Sequence, residues 1–179
     1  MAIHTLYGKA NLCYTEADDF VNVQPVRKDP VYKRYDSVYS VIDKHFTEEY
    51  KHFLAHPIYS DDDGYIQWYV KEWNETPRKF IELSGSDKEK YTAIKERFIA
   101  EYNKVRSRLT GEDMMILTNA TKFIDDEFIF CYDDTVVVIA WGMTPDQRKH
   151  VIKGSVIHAL KIPERHKLTF DAGTHGHLL

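Results

Sequence analysis

The chain has 179 residues, of which 43% are hydrophobic and 29% charged, and its formal net charge is −4. This is ordinary globular usage, and a chain of this length buries enough surface to fold without disulfides or metals. No run approaches 18 consecutive apolar residues and no leader pattern opens the chain, so the sequence predicts a cytoplasmic location with no signal peptide and no membrane span.

The first 40 residues contain few regular patterns. Residues 2–14 predict short strands around a turn at Gly8. Residues 15–40 are polar and contain Pro25 and Pro30, which favours irregular structure.

The middle of the chain reads as helical. Thr47, followed by two glutamates, predicts a helix that runs to Ala55 and is stopped by Pro57. The segment Ile66–Trp73 is amphipathic and predicts a second helix, and Thr-Pro at the start of 76–83 predicts a third.

The strongest helical signal begins at a capping box formed by Ser86 and Glu89. Apolar residues then recur at steps of three and four, at Tyr91, Ile94, Phe98, Tyr102, Val105 and Leu109. Gly111 is the expected end of this helix, and a further helix is predicted over 112–123.

The period changes to that of strands after residue 126. Two runs of β-branched and aromatic residues flank Asp133 and Asp134, which predicts a hairpin over 127–141. The expected fold is therefore α+β, with a helical middle at about 47–123 packed on a small antiparallel sheet. Residues 1–163 are expected to form one domain, and 164–179 a tail or the first strand of a truncated β repeat.

The last 13 residues contain Leu-Thr-Phe-Asp followed shortly by Gly173. This phrase resembles the opening strand of the Listeria–Bacteroides type repeat, although the Gly-Tyr-x-Phe-x-Gly-Trp phrase of the full unit is absent. The resemblance implies that the chain is the N-terminal domain of a larger bacterial multidomain protein.

Motifs for chemistry are missing from the sequence. It contains no P-loop, no G-x-G-x-x-G and no nucleophile elbow, so we expect no cofactor and assign no catalytic residue. His52 and His56 are four residues apart and would share a face of the predicted helix, which makes them the candidates for a metal site. Without H-E-x-x-H, a solvent-facing pair is the alternative, and we expect no structural metal. Cys13 and Cys131 lie in apolar contexts and are predicted to be buried, reduced thiols.

Aromatic residues are abundant, with 12 Tyr, 9 Phe and 3 Trp. Trp68, Tyr69 and Trp73 form a cluster that predicts either core packing or an exposed surface for a protein partner. If they are interface anchors, at least one should be exposed.

A basic strip near the C-terminus is the other candidate contact surface, formed by Arg148, Lys149, Lys153, Lys161, Arg165 and Lys167. Such a strip can contact phosphate or an acidic partner, or can simply be solvated. The negative net charge and the lack of a DNA- or RNA-binding signature argue against nucleic acid.

The sequence thus predicts a non-catalytic protein-interaction or scaffold module of a larger bacterial protein. One alternative is an enzyme with a site of scattered acids and histidines. The other is a weak nucleic-acid binder that uses the 148–167 strip.

Overall fold

The structure, a computed structural model, describes residues 6–22, 30–147 and 155–159, together with the backbone of 167–168. The fold is α+β, as the sequence predicted. The helices are α1 (Tyr35–His45), α2 (Gly85–Arg106) and α3 (Gly111–Thr121). The strands are β1 (Lys9–Glu16), β2 (Phe20–Asn22), β3 (His56–Tyr59), β4 (Tyr65–Lys71), β5 (Arg78–Lys79), β6 (Ile129–Tyr132), β7 (Thr135–Val138), β8 (Met143–Pro145) and β9 (Lys167–Leu168).

The largest sheet is antiparallel and has the strand order β3-β4-β1-β9. Strand β1 pairs with β4 from Lys9↔Lys71 to Glu16↔Tyr65, with a register shift between Asn11 and Cys13 that is typical of a β-bulge. Two smaller sheets complete the fold, one with the order β5-β6-β7 and one formed by β2 and β8.

Strand β4 replaces the segment Ile66–Trp73, which the sequence predicted as a helix. Ile66, Trp68 and Val70 alternate along β4 and are all buried on one face. The alternation is hidden in the sequence because Tyr69, on the opposite face, is also buried, beside Leu6. Pro57 stops no helix and instead lies in the edge strand β3, where proline is tolerated.

The helix predicted over 47–55 is also wrong. Only a 3₁₀ turn forms there, at Glu48–Tyr50. The backbone beyond it pairs with β7 instead, since Val138 donates to the carbonyl of Phe53 at 2.7 Å and accepts from Ala55 at 2.9 Å. A segment whose polar groups bond to a strand cannot also form i→i−4 helical bonds.

Helix α1 begins inside the segment 15–40, which the sequence predicted as irregular, and extends beyond it to His45. Its buried residues are Tyr35, Val38, Val41 and Ile42. Their spacing is helical, but the nearby Pro25 and Pro30 favoured an irregular interpretation.

The prediction for α2 is confirmed, because Tyr91, Phe98, Tyr102 and Val105 form its buried stripe. Three details of it are wrong. Ser84, rather than Ser86, occupies the N-cap position, and it makes no side-chain capping bond. Leu109 lies beyond the helix end, and Gly111 begins α3 instead of ending α2. Helix α3 agrees with the predicted 112–123 helix to within two residues. The helix predicted over 76–83 is replaced by β5 and a 3₁₀ turn at Phe80–Glu82.

The 127–141 hairpin is confirmed as β6 and β7. Asp133 and Asp134 both have positive φ, 46° and 62°, which is the geometry of a type I′ turn. The Asp133 carboxylate accepts the backbone N–H groups of Asn74 and Glu75 at 2.8 and 2.9 Å, and this fixes the turn against the preceding loop.

The helices and the sheets share one main hydrophobic core. Trp68 and Trp141 meet edge to face at 6.1 Å, and their indole N–H groups donate to Thr15 and to the carbonyl of Ala55. Cys13 and Cys131 are both buried, as the sequence predicted. None of the described helices is both long enough and apolar enough to cross a membrane.

Candidate functional site

The predicted aromatic cluster does not form an exposed surface. Trp68 is fully buried and Tyr69 is 8% exposed. Trp73 is half-buried and packs edge to face against Tyr132, with 6.4 Å between ring centroids. The three side chains therefore belong to the core and its margin, which was the alternative to an interface.

The basic strip falls mostly outside the described residues. Arg148, Lys149, Lys153, Lys161 and Arg165 are not described, and only the backbone of Lys167 is, paired in β9 with Ala10. The strip stays a prediction.

His52 and His56 do not share a helix. His52 follows the 3₁₀ turn and its Nε2 lies 3.2 Å from Glu48 Oε2. His56 begins β3 and is buried. Both nevertheless line one cavity, and the group that contacts His56 there is the amine of Lys9.

This cavity, the Lys9 pocket, has a volume of about 300 Å³ and lies between β1, α1 and the start of β3. Its lining consists of Tyr7, Lys9, Tyr35, Asp36, Tyr39, His52 and His56. Three tyrosines and two histidines around one lysine make an aromatic cavity with a single amine.

The sheet register brings Lys9 to His56. Tyr69 in the central strand β4 has two strand partners, Asn11 in β1 on one side and His56 in β3 on the other. Lys9 lies two residues before Asn11 and so projects from the same face. Lys9 Nζ therefore reaches His56 Nδ1 and donates a hydrogen bond of 2.9 Å. Since an ammonium only donates, Nδ1 is the acceptor and His56 carries its proton on Nε2.

Helix α1 supplies the aromatic wall. The Tyr35 ring packs against the His56 ring with centroids 4.1 Å apart. Lys9 Nζ lies 5.6 Å from the Tyr35 centroid and 5.9 Å from that of Tyr39, within range of cation–π attraction. Tyr7 also lines the pocket, and it is 64% exposed to solvent.

Burial dominates the electrostatics of the pocket. It lowers the pKa of Lys9 to about 8, because the charged amine loses water. Burial, with a smaller effect of the neighbouring Lys9, lowers the pKa of His56 to about 3. Burial also lowers the pKa of His52, against the opposing hydrogen bond from Glu48.

No carboxylate in the described part of the chain forms an ion pair with Lys9. The acidic residue of the lining, Asp36, is exposed. At neutral pH the pocket thus holds a mostly protonated amine beside a neutral imidazole, with no paired anion among those residues. Such a site can attract an anion.

Sequence reasoning singled out His56 as a metal candidate and missed Lys9. The contact joins residues on two different strands, and neither residue lies in a motif. The one local signal was a lysine at the start of a mostly apolar strand, and this is too common to indicate a site.

Comparison with protein-family models, curated proteins and solved structures found no match to this chain. A functional assignment therefore depends on the geometry of the chain itself.

Proposed function

We propose that this chain is a small-molecule-binding module, and that the Lys9 pocket takes a ligand with one planar ring and one anionic group. The observation that carries the proposal is the position of Lys9 Nζ. It lies in an aromatic cavity, is held by a neutral histidine, and has no paired carboxylate among the described residues.

The size of the cavity limits the ligand. About 300 Å³ is at the lower end of the range of roughly 300–1,000 Å³ for ligand pockets, which favours a single-ring compound. The faces of Tyr35 and Tyr39 suit a planar apolar body. A carboxylate on that body would pair with the Lys9 ammonium.

His56 positions the amine without competing for the ligand. As a neutral acceptor it holds one N–H of Lys9 at 2.9 Å. No carboxylate of the described residues pairs with Lys9, so its other two N–H groups can bind a carboxylate of the ligand. Binding of an anion favours the protonated amine, so binding weakens as the pH rises through about 8 and Lys9 loses its proton.

The interaction or scaffold role loses its proposed contact residues, since Trp68 and Tyr69 are buried. It stays a prediction for other surfaces of the domain. An enzyme with a site of scattered acids and histidines also stays a prediction. The Lys9 pocket contains two histidines, but its one acidic lining residue, Asp36, is exposed.

The test is an NMR titration of the whole chain with benzoate and 4-hydroxybenzoate against the neutral isostere benzamide. We expect the carboxylates to shift resonances of the pocket residues and benzamide to bind at least about tenfold more weakly at pH 7. Lys9→Met should abolish this preference because it removes the cation. Lys71→Met is the matched control, since Lys71 is exposed and is the strand partner of Lys9 but does not line the pocket.

Two results would overturn the proposal. One is that acids and amide bind equally, or that neither acid shifts the pocket residues. The other is that Lys9→Met retains the preference of the wild type for the acids.

A further inference from the structure

A second polar cluster lies at the other end of β1 from Lys9. It consists of Glu16, the last residue of β1, Asp19 in the following 3₁₀ turn, and His158. One ligand atom from each of these side chains lies within 4.8 Å of the others. The cluster shares no residue with the Lys9 pocket.

The backbone fixes His158 in place. Its N–H donates to the carbonyl of Tyr14 at 3.0 Å, and its carbonyl accepts the Tyr14 N–H at 2.9 Å. The imidazole stacks on the Tyr14 ring, with centroids 5.0 Å apart and an interplanar angle of 23°. Val156, two residues earlier, is fully buried and anchors the segment in the core.

The turn that carries Asp19 is also fixed. The Ala17 N–H donates to the carbonyl of Gly64 at 2.8 Å, and the Asp19 carbonyl accepts the N–H of Asp146 at 2.8 Å. The Asp19 side chain is 1% exposed. The carboxylate is therefore held close to Glu16 and His158 before any ion arrives.

The separation between the donor atoms is that of metal ligands rather than of a hydrogen bond. His158 Nε2 and Glu16 Oε2 are 3.6 Å apart, beyond hydrogen-bond range. Nε2 is shielded from solvent and has no hydrogen-bond partner in the described ranges. Two ligands at 2.0–2.1 Å from a tetrahedral zinc ion are roughly 3.3 Å apart, so a small adjustment would place an ion between these atoms.

We propose that Glu16, Asp19 and His158 form a binding site for a divalent transition-metal ion, with Zn²⁺ as the first candidate. One imidazole and two carboxylates suit Zn²⁺ and its first-row neighbours, whereas Ca²⁺ and Mg²⁺ prefer oxygen ligands alone. Three protein ligands leave a coordination position for water. No local motif marks this site, because His158 is far in the chain from Glu16 and Asp19. The metal candidates selected from the sequence, His52 and His56, contact Glu48 and Lys9 instead.

The test uses the whole chain, stripped of metal with EDTA and dialysed, and titrated with ZnCl₂ in a calorimeter at pH 7.5. We expect one Zn²⁺ per chain and a loss of at least about tenfold in affinity in His158→Ala and in Glu16→Gln. Co²⁺ in place of Zn²⁺ should give a d–d absorption spectrum that changes in His158→Ala.

His45→Ala is the matched control. The His45 imidazole also faces a carboxylate, that of Asp113 at 3.1 Å, and its exposure, 28%, is close to the 29% of His158. This variant should bind Zn²⁺ as the wild type does. Melting curves without metal would show that each variant is folded.

The proposal is overturned if the wild type does not bind Zn²⁺, or if folded His158→Ala binds as tightly as the wild type. It is also overturned if His45→Ala loses binding to the same extent, since that would indicate nonspecific binding to surface histidines.

Discussion

Two aromatic regions of this molecule use the same residue types with opposite effects on stability. Where α2 packs, Phe98 meets Tyr50 and Phe53 at 4.9 and 5.5 Å, and the Tyr102 hydroxyl donates to the Tyr50 carbonyl at 2.6 Å. These rings bury apolar surface, and the Tyr102 hydroxyl has a hydrogen-bond acceptor, so both features stabilise the fold. In the Lys9 pocket, tyrosines instead enclose an amine whose charge is poorly solvated, which costs stability.

This contrast separates core from site. High aromatic content alone does not indicate an interface, because most of these rings fill the interior. The rings around Lys9 are different, because they surround an amine that pairs with no carboxylate of the described residues. An anionic ligand bound there would offset the cost of burying that charge.

Replacing Phe98 tests the core half of the comparison. Phe98→Ala should reduce the free energy of unfolding by about 3–5 kcal/mol, because it removes a fully buried ring and leaves a cavity. Urea unfolding measures the change. Ile81→Ala, at a side chain that is 51% exposed, is the control and should cost less than about 1 kcal/mol. A similar small cost for Phe98→Ala would show that the α2 stripe is not the core.

The stability of the domain at acidic pH tests whether His56 is buried in its neutral form. Burial lowers its folded-state pKa to about 3, while the unfolded chain takes up the proton near the ordinary value of 6.5. Stability is therefore lost as the pH falls from about 6.5 toward 3, by up to about 1.4 kcal/mol per pH unit.

The variant His56→Gln, which keeps a hydrogen-bond acceptor for Lys9, isolates this contribution from that of the carboxylates. Its urea unfolding should depend less steeply on pH than that of the wild type between pH 6.5 and 4. Equal slopes would contradict a neutral, buried His56.

Lys9→Met should stabilise the domain, the opposite of the core substitution. Removing an amine that is costly to bury should raise the free energy of unfolding at pH 7 by about 1–2 kcal/mol, net of the lost hydrogen bond to His56.

The pH dependence identifies the cause of that gain. The folded-state pKa of Lys9 is lowered, so the wild type gains stability as the pH rises from about 8 toward 10.5, and its difference from Lys9→Met should shrink over that range. A difference that stays constant from pH 7 to pH 10 would show that packing rather than charge is responsible.

The smallest expected effect is that of Asp36→Asn. Asp36 is exposed and lines the pocket, so its carboxylate opposes an anionic ligand only through screened, longer-range repulsion. Removing it should tighten benzoate binding about two- to fivefold, equivalent to roughly 0.4–1 kcal/mol. The same NMR titration measures it, and weaker binding in Asp36→Asn would indicate that the carboxylate contacts the ligand favourably.

The sequence predicted those elements in which one pattern extends over many residues. In helix α2, buried apolar residues recur at helical spacing as far as Val105. In the β6–β7 hairpin, two turn-forming aspartates connect the strands. Strand β4 was misread because Trp68 and Tyr69 are buried on opposite faces, which erases the alternation. Residues 53–55 were misread because their partner, Val138, is distant in the chain.

The candidate site was less predictable than the fold. Lys9 becomes unusual only when β3, β4 and β1 align and α1 covers His56 with Tyr35. Each of these residues is unremarkable in its local sequence. A site that depends on cross-strand register leaves no periodic signal, whereas a core helix does.

The most direct test of the account is the pKa of Lys9 itself, measured by NMR from the side-chain Cε and Nζ resonances as a function of pH. The account predicts a midpoint near 8 in the free protein, below the ordinary 10.5, and an upward shift when benzoate saturates the pocket. A Lys9 midpoint near 10.5 that does not move when benzoate is added would contradict the proposal that this amine is a buried anion-binding group.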